Sequence, residues 1–211
     1  MQIGINLLTL DVEYEGGITN YVRGLLDGFR RIEANERFVI CANAANAHRY
    51  RAYGELPNFD VRVFSFDVWW KKGLVYQAVK IRSKSLYSTL NRVLYLRLAR
   101  ELDRQLDVVY FPDTQLFPYH LRKPTVLSLH DIQHVHFPEF FSPVELKDRN
   151  ITYTLSAQQA DYLQASSEHM REDFLTHFPF LQTRQVVKIQ EGVDTDLFRT
   201  SSDGSDLVKK Y

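Results

Sequence analysis

Along this chain, apolar runs of four to six residues recur at positions 3–8, 38–42, 61–66, 108–111, 126–129, 162–165 and 186–189. They are too short for helices and rich in Val, Ile, Phe and Tyr, so they read as buried strands. Between them the period changes. Ile18, Tyr21, Val22, Leu25, Leu26 and Phe29 fall on one face at helical spacing, as expected of a helix packed on a sheet. The alternation predicts an α/β fold: a Rossmann-like, doubly wound, mostly parallel sheet of about seven strands with right-handed crossovers. Its ligand crevice should lie along the carboxyl edge of the strands. No internal repeat or low-complexity tract interrupts the pattern.

Composition supports an ordinary globular domain. With 211 residues, 45% hydrophobic and 25% charged, the chain is long enough to bury a real core. The single cysteine, Cys41, cannot form an internal disulfide and falls in a predicted strand, so it reads as a small core residue suited to a reducing compartment. Residues 1–10 lack a basic leader and read as a first strand rather than a signal peptide. No run approaches the length of a membrane span.

Charge is balanced overall, 26 basic residues against 26 acidic, but unevenly spread. Residues 69–100 hold eight basic residues (Lys71, Lys72, Lys80, Arg82, Lys84, Arg92, Arg97 and Arg100) and no acidic one, interleaved with Trp69, Trp70, Tyr76, Tyr87 and Tyr95. Leu86, Leu90, Val93, Leu94 and Leu98 keep a helical period there, predicting a helix with an apolar and a basic face. A solvated face beside the core competes evenly with an interaction surface. For the latter an anionic membrane ranks ahead of nucleic acid, because Trp69-Trp70 suits a lipid interface. Acidic residues gather toward the end, and residues 195–211 have the composition of a linker.

Two segments carry candidate chemistry. The first is the loop 11–17, whose Gly16-Gly17 opens the helix at Ile18; free N–H groups and the helix dipole there would favour a phosphate, and a tight turn is the competing reading. Neither G-x-G-x-x-G nor G-x-x-x-x-G-K-[ST] occurs, which argues against a nicotinamide enzyme and a P-loop ATPase. The second is His130-Asp131, delivered by the strand 126–129 to the crevice. A histidine at a strand end can donate to a substrate hydroxyl, and its neighbouring carboxylate can fix the loop. His134 and His136 lie close by, but Phe137-Pro138 halts any helix and no downstream Cys or His pair completes a standard site, so a metal is not expected.

Taken together, these segments resemble the N-terminal domain of a GT-B glycosyltransferase of family 4, a group of retaining, nucleotide-sugar-dependent enzymes. The resemblance runs through the first strand with Gly16-Gly17-Ile18 and its helix, then His130-Asp131 with Pro138-Glu-Phe-Phe-Ser142, then Ala165-Ser166-Ser-Glu168, and last Gly192-Val-Asp194 with Phe198. It implies that Gly16 and Gly17 lie against the donor diphosphate or sugar, that His130 points at the transferred sugar as the catalytic residue, and that Asp131 and Ser166 support the loops. It implies no metal and no cofactor. In the mechanism it brings, the acceptor hydroxyl attacks from the face from which the nucleotide diphosphate leaves, and the leaving phosphate helps take the proton.

The same resemblance divides the chain into an acceptor-side domain, residues 1–194, and a linker, residues 195–211, toward a C-terminal nucleotide-sugar domain. The expected enzyme is a hexosyltransferase of polysaccharide or glycolipid synthesis, inactive without that domain. Its partners would be a nucleotide-sugar donor and a sugar or lipid-linked acceptor, not nucleic acid. Its place would be cytoplasmic, peripheral to the inner face of the membrane if the basic stretch docks there. Two alternatives stand beside this: a non-catalytic subunit or lipid-carrier binding module completed by another chain, and a GT-B nucleotide-sugar epimerase.

Overall fold

The strands all run the same way. The computed structural model describes residues 1–10, 16–32, 35–66 and 69–193. Seven parallel strands, β1 (Gln2–Asn6), β2 (Arg37–Ala42), β3 (Phe59–Val63), β4 (Val108–Phe111), β5 (Thr125–Ser128), β6 (Tyr162–Ala165) and β7 (Val186–Lys188), form one sheet in the order β3-β2-β1-β4-β5-β6-β7. The order grows outward in both directions from β1, the doubly wound arrangement expected from the alternation. Asp194, Phe198 and the linker 195–211 lie outside the described residues.

Both faces of the sheet are covered, which is why its strands read as continuous apolar runs. In β2, Phe38, Ile40 and Ala42 enter one core with Val22 and Leu26 of helix α1 (Gly17–Arg31), while Val39 and Cys41 enter the other. That second core holds Phe111, Leu127 and Leu163, covered by later helices. Gly4 of β1 is needed there, because a Cβ at that position would collide with the Leu106 side chain lying across the strand. Cys41 is fully buried and burial pushes its thiol up to about 12, the inert core residue that the sequence suggests.

The basic segment folds as three helices rather than one. They are α2 (Trp69–Lys80), α3 (Lys84–Leu94) and α4 (Leu96–Gln105). The end of α2 closes with the Arg82 N–H on the Val79 carbonyl and the Ser83 N–H on that of Ala78, with Arg82 at a φ of 56°. Ser83 then caps α3 by accepting from the Leu86 N–H. The expected apolar face is only partly inward: Leu98 is buried, but Leu86 and Val93 are exposed, and Tyr87, Asn91 and Tyr95 turn inward instead. Aromatic packing of Tyr95 on Phe117 and of Tyr87 on Tyr119 takes the inner positions.

After β5 the chain makes one helical turn, α5 (Gln133–His136), which Pro138 stops. Helix α6 (Pro143–Gln159) then starts with a full capping box, the Ser142 hydroxyl accepting from the Glu145 N–H and the Glu145 carboxylate accepting from the Ser142 N–H. Helix α7 (Glu168–His177) follows β6. No helix of the described residues is long and apolar enough to cross a membrane.

Candidate functional site

The carboxyl ends of β1, β4, β5 and β6 line one edge of the sheet, with the start of α1 beside them. His130 sits two residues beyond β5. Its Nε2 lies 2.8 Å from the carbonyl oxygen of Pro112, which can only accept, so Nε2 carries the proton. Its Nδ1 faces the Glu191 carboxylate at 3.6 Å. Tyr21, one turn into α1, meets the ring edge-on with centroids 4.9 Å apart. Three elements distant in sequence therefore hold this one ring.

Helix α1 begins at Gly17, with Gly16 as its N-cap in extended backbone. No side chain caps it and its first turn contains no acidic residue, so the positive end of its dipole is not neutralised from within the helix. Among the described residues, a Cβ added at Gly17 would meet nothing within 4 Å. The glycines and His130 thus belong to one edge, joined through Tyr21.

Asp131 is exposed and accepts from the Gln133 N–H at 3.0 Å, at the turn into α5. Ser166 lies half-buried after β6, but the hydroxyl that caps α7 belongs to Ser167, accepting from the Met170 N–H at 3.1 Å. His134 is buried against Tyr153, and His136 pairs with Asp173 at 2.8 Å. The three histidines of this segment face three different partners. Among the described residues no group of three His, Cys, Asp or Glu side chains is placed to hold a metal ion.

Two carboxylates at this edge escaped the sequence reading. Glu191 stands beside His130, and its signal was its position just before Gly192-Val193 after the last strand. Asp113 follows Pro112 at the end of β4, a strand-end acid of the same kind as Asp131. Burial raises its carboxyl above the ordinary range, opposed by hydrogen bonds from the Thr114 N–H and the Thr9 hydroxyl.

Below the edge lies a buried polar network. The Gln164 Oε1 accepts within 2.9 Å of the Ser128 hydroxyl and 3.0 Å of the Tyr110 hydroxyl, and its Nε2 donates to the Tyr21 oxygen at 3.1 Å. Tyr110 and Tyr21 hydroxyls are 2.7 Å apart. Burial holds the Tyr110 phenol far above its usual range, so it remains a donor. Register explains the clustering: Ser128 pairs with Gln164, and Tyr110 pairs with Ile5, which faces α1. A separate cavity of about 530 Å³, lined by none of these four residues, opens toward the other core, between Thr9 and Asn43 at the strand ends and Val75, Tyr87 and Asn91 on α2 and α3.

Residues 15–197 match the family described as Glycosyltransferase Family 4, a span that includes Gly16, Gly17, His130 and Glu191. No curated protein matches the chain. Among solved structures, the apo form of the lipopolysaccharide outer core galactosyltransferase WaaB is similar over 92% of this chain and 46% of its own, at 13% identity and a TM-score of 0.44. The chain spans about half the length of that protein. With the family's sequence pattern running through nearly all of a seven-stranded parallel sheet and through the edge that holds His130, this chain belongs to glycosyltransferase family 4.

Proposed function

We propose that this chain is the N-terminal, acceptor-side domain of a GT-B, nucleotide-sugar-dependent retaining hexosyltransferase of polysaccharide or glycolipid synthesis. It works with a nucleotide-sugar-binding domain and is inactive without one. The observation that carries the reading is the His130 ring, fixed by Pro112 and Tyr21 at the strand edge that also holds the N-terminus of α1.

Each group then has a task. With the Nε2 proton committed to Pro112, the Nδ1 edge remains for a sugar hydroxyl, and Glu191 shares that edge. A nucleotide diphosphate gains negative charge as it departs, and the Gly16-Gly17 backbone with the α1 dipole stabilises it there. Because the leaving phosphate takes the acceptor's proton, no side chain of this domain has to act as base. The acceptor fits the cavity beside Thr9, whose hydroxyl lies 3.3 Å from Asp113, the neighbour of Pro112.

A transfer assay tests this. The chain of 211 residues with a nucleotide sugar and an acceptor should yield no product, whereas the chain joined to a nucleotide-binding domain should transfer. In the joined enzyme His130→Ala should lower kcat on the order of a hundredfold. Wild-type turnover in that variant would remove His130 from the reaction.

A further inference from the structure

Helix α3 turns only part of its apolar set inward. On a helical projection Ser85, Leu86, Thr89, Arg92 and Val93 share one outer arc, and all five are exposed, while Tyr87, Asn91 and Leu94 face inward. Val93 is 66% exposed and Ile81, in the turn before α3, is 63% exposed. Leu74 on α2 and Leu96 on α4 are also in solvent. Exposed aliphatic side chains set singly are ordinary, but here they recur through one basic segment. Lys80, Arg82, Lys84, Arg92, Arg97 and Arg100 are all exposed in the same stretch, which contains no acidic residue. Just beyond that stretch α4 carries Glu101, exposed one turn after Arg97, and Asp103, half-buried and accepting from the Arg122 and Lys123 N–H groups; Asp148 of α6 lines the cavity on the inner side of α3.

We propose that the outer face of α2–α4 docks on an anionic lipid bilayer. Charge complementarity selects the occupant: cations attract the headgroups, and the aliphatic side chains between them enter the headgroup boundary, where Leu, Ile and Val gain from leaving water. Nucleic acid would use the same cations, but it offers nothing to a surface row of Leu86, Val93 and Ile81. Docking on this face leaves the cavity on the other side of α3, within one helix layer of the bilayer. The inference stands on this surface alone and does not depend on glycosyl transfer.

Flotation of the whole chain with vesicles of phosphatidylcholine containing about 30% phosphatidylglycerol, and with pure phosphatidylcholine, reads it directly. The chain should float with the anionic vesicles, detach as salt rises, and remain behind with the neutral ones. Arg92→Gln/Arg97→Gln/Arg100→Gln should weaken binding on the order of a hundredfold, about fivefold per cation. Leu86→Ser/Val93→Ser should weaken it while leaving the salt slope unchanged. Circular dichroism should show both variants folded, since every changed side chain is exposed. Equal binding to neutral vesicles, or undiminished binding by the arginine variant, overturns the proposal. So does binding to a homopolymeric RNA that is insensitive to Leu86→Ser/Val93→Ser, or a dimer of the chain that those changes dissolve.

Discussion

What a histidine does in this chain depends on what holds its two nitrogens. His130 has a carbonyl on one and a carboxylate near the other, and it is partly open to solvent. His136 has an exposed ion pair with Asp173. His134 is 3% exposed and its Nδ1 has no hydrogen-bond partner, so its neutral ring is tolerated and its charged form is not. Burial, reinforced by Arg149, lowers its pKa from 6.5 to about 4. Between those values the unfolded chain binds more protons than the folded one, so the stability is complete above pH 6.5 and is lost as pH falls toward 4. From pH 7 to pH 5 the loss is on the order of 2 kcal/mol. His134→Phe keeps the ring packing and removes the titration, so its urea midpoint should fall less over that range than the wild type's. An equal fall would assign the acid sensitivity elsewhere. The sequence set His130 apart at a strand end, but it gave no sign of which nitrogens of the three histidines would find partners.

At the level of elements, the start of α6 rests on local contacts that the sequence reading had not picked out. Ser142-Pro143-x-Glu145 starts α6 through contacts between residues three apart, and the structure shows the complete box. Ser142→Ala should cost about 1 kcal/mol. Thermal unfolding reads the cost, and an unchanged Tm would mean that Pro143 and the packing of α6 suffice. Helix α1 was legible in the sequence, since Val22 and Leu26 are buried as its periodicity requires. The basic segment was not, because periodicity alone does not say which side of a helix the rest of the fold will occupy. Tyr87 and Asn91 reach the interior of α3 because Tyr119 waits there, its ring on Tyr87 and its N–H on the Asn91 side chain. Leu86 and Val93 are then left outside.

Across the whole molecule, one polar network ties α1 to β4, β5 and β6 through Tyr21, Tyr110, Ser128 and Gln164. Gln164→Leu removes its shared acceptor and should cost about 1–2 kcal/mol of stability. Because Tyr21 also touches His130, the side-chain NMR signals of His130 should shift in the same variant. Unmoved signals with lost stability would show that the network supports the sheet without positioning the ring. The sequence by itself determined the fold class: strands buried on both faces require continuous apolar runs, and alternation with helices leaves a parallel sheet as the way to pair them. It also placed Gly16, Gly17 and His130 at element ends. Only the tertiary structure decided what surrounds His130, because Pro112, Tyr21 and Glu191 reach it from 18, 109 and 61 residues away. Such contacts depend on the order in which strands join the sheet. Side-chain periodicity is a local quantity and does not record that order, so the ring could be named from the sequence while its partners could not.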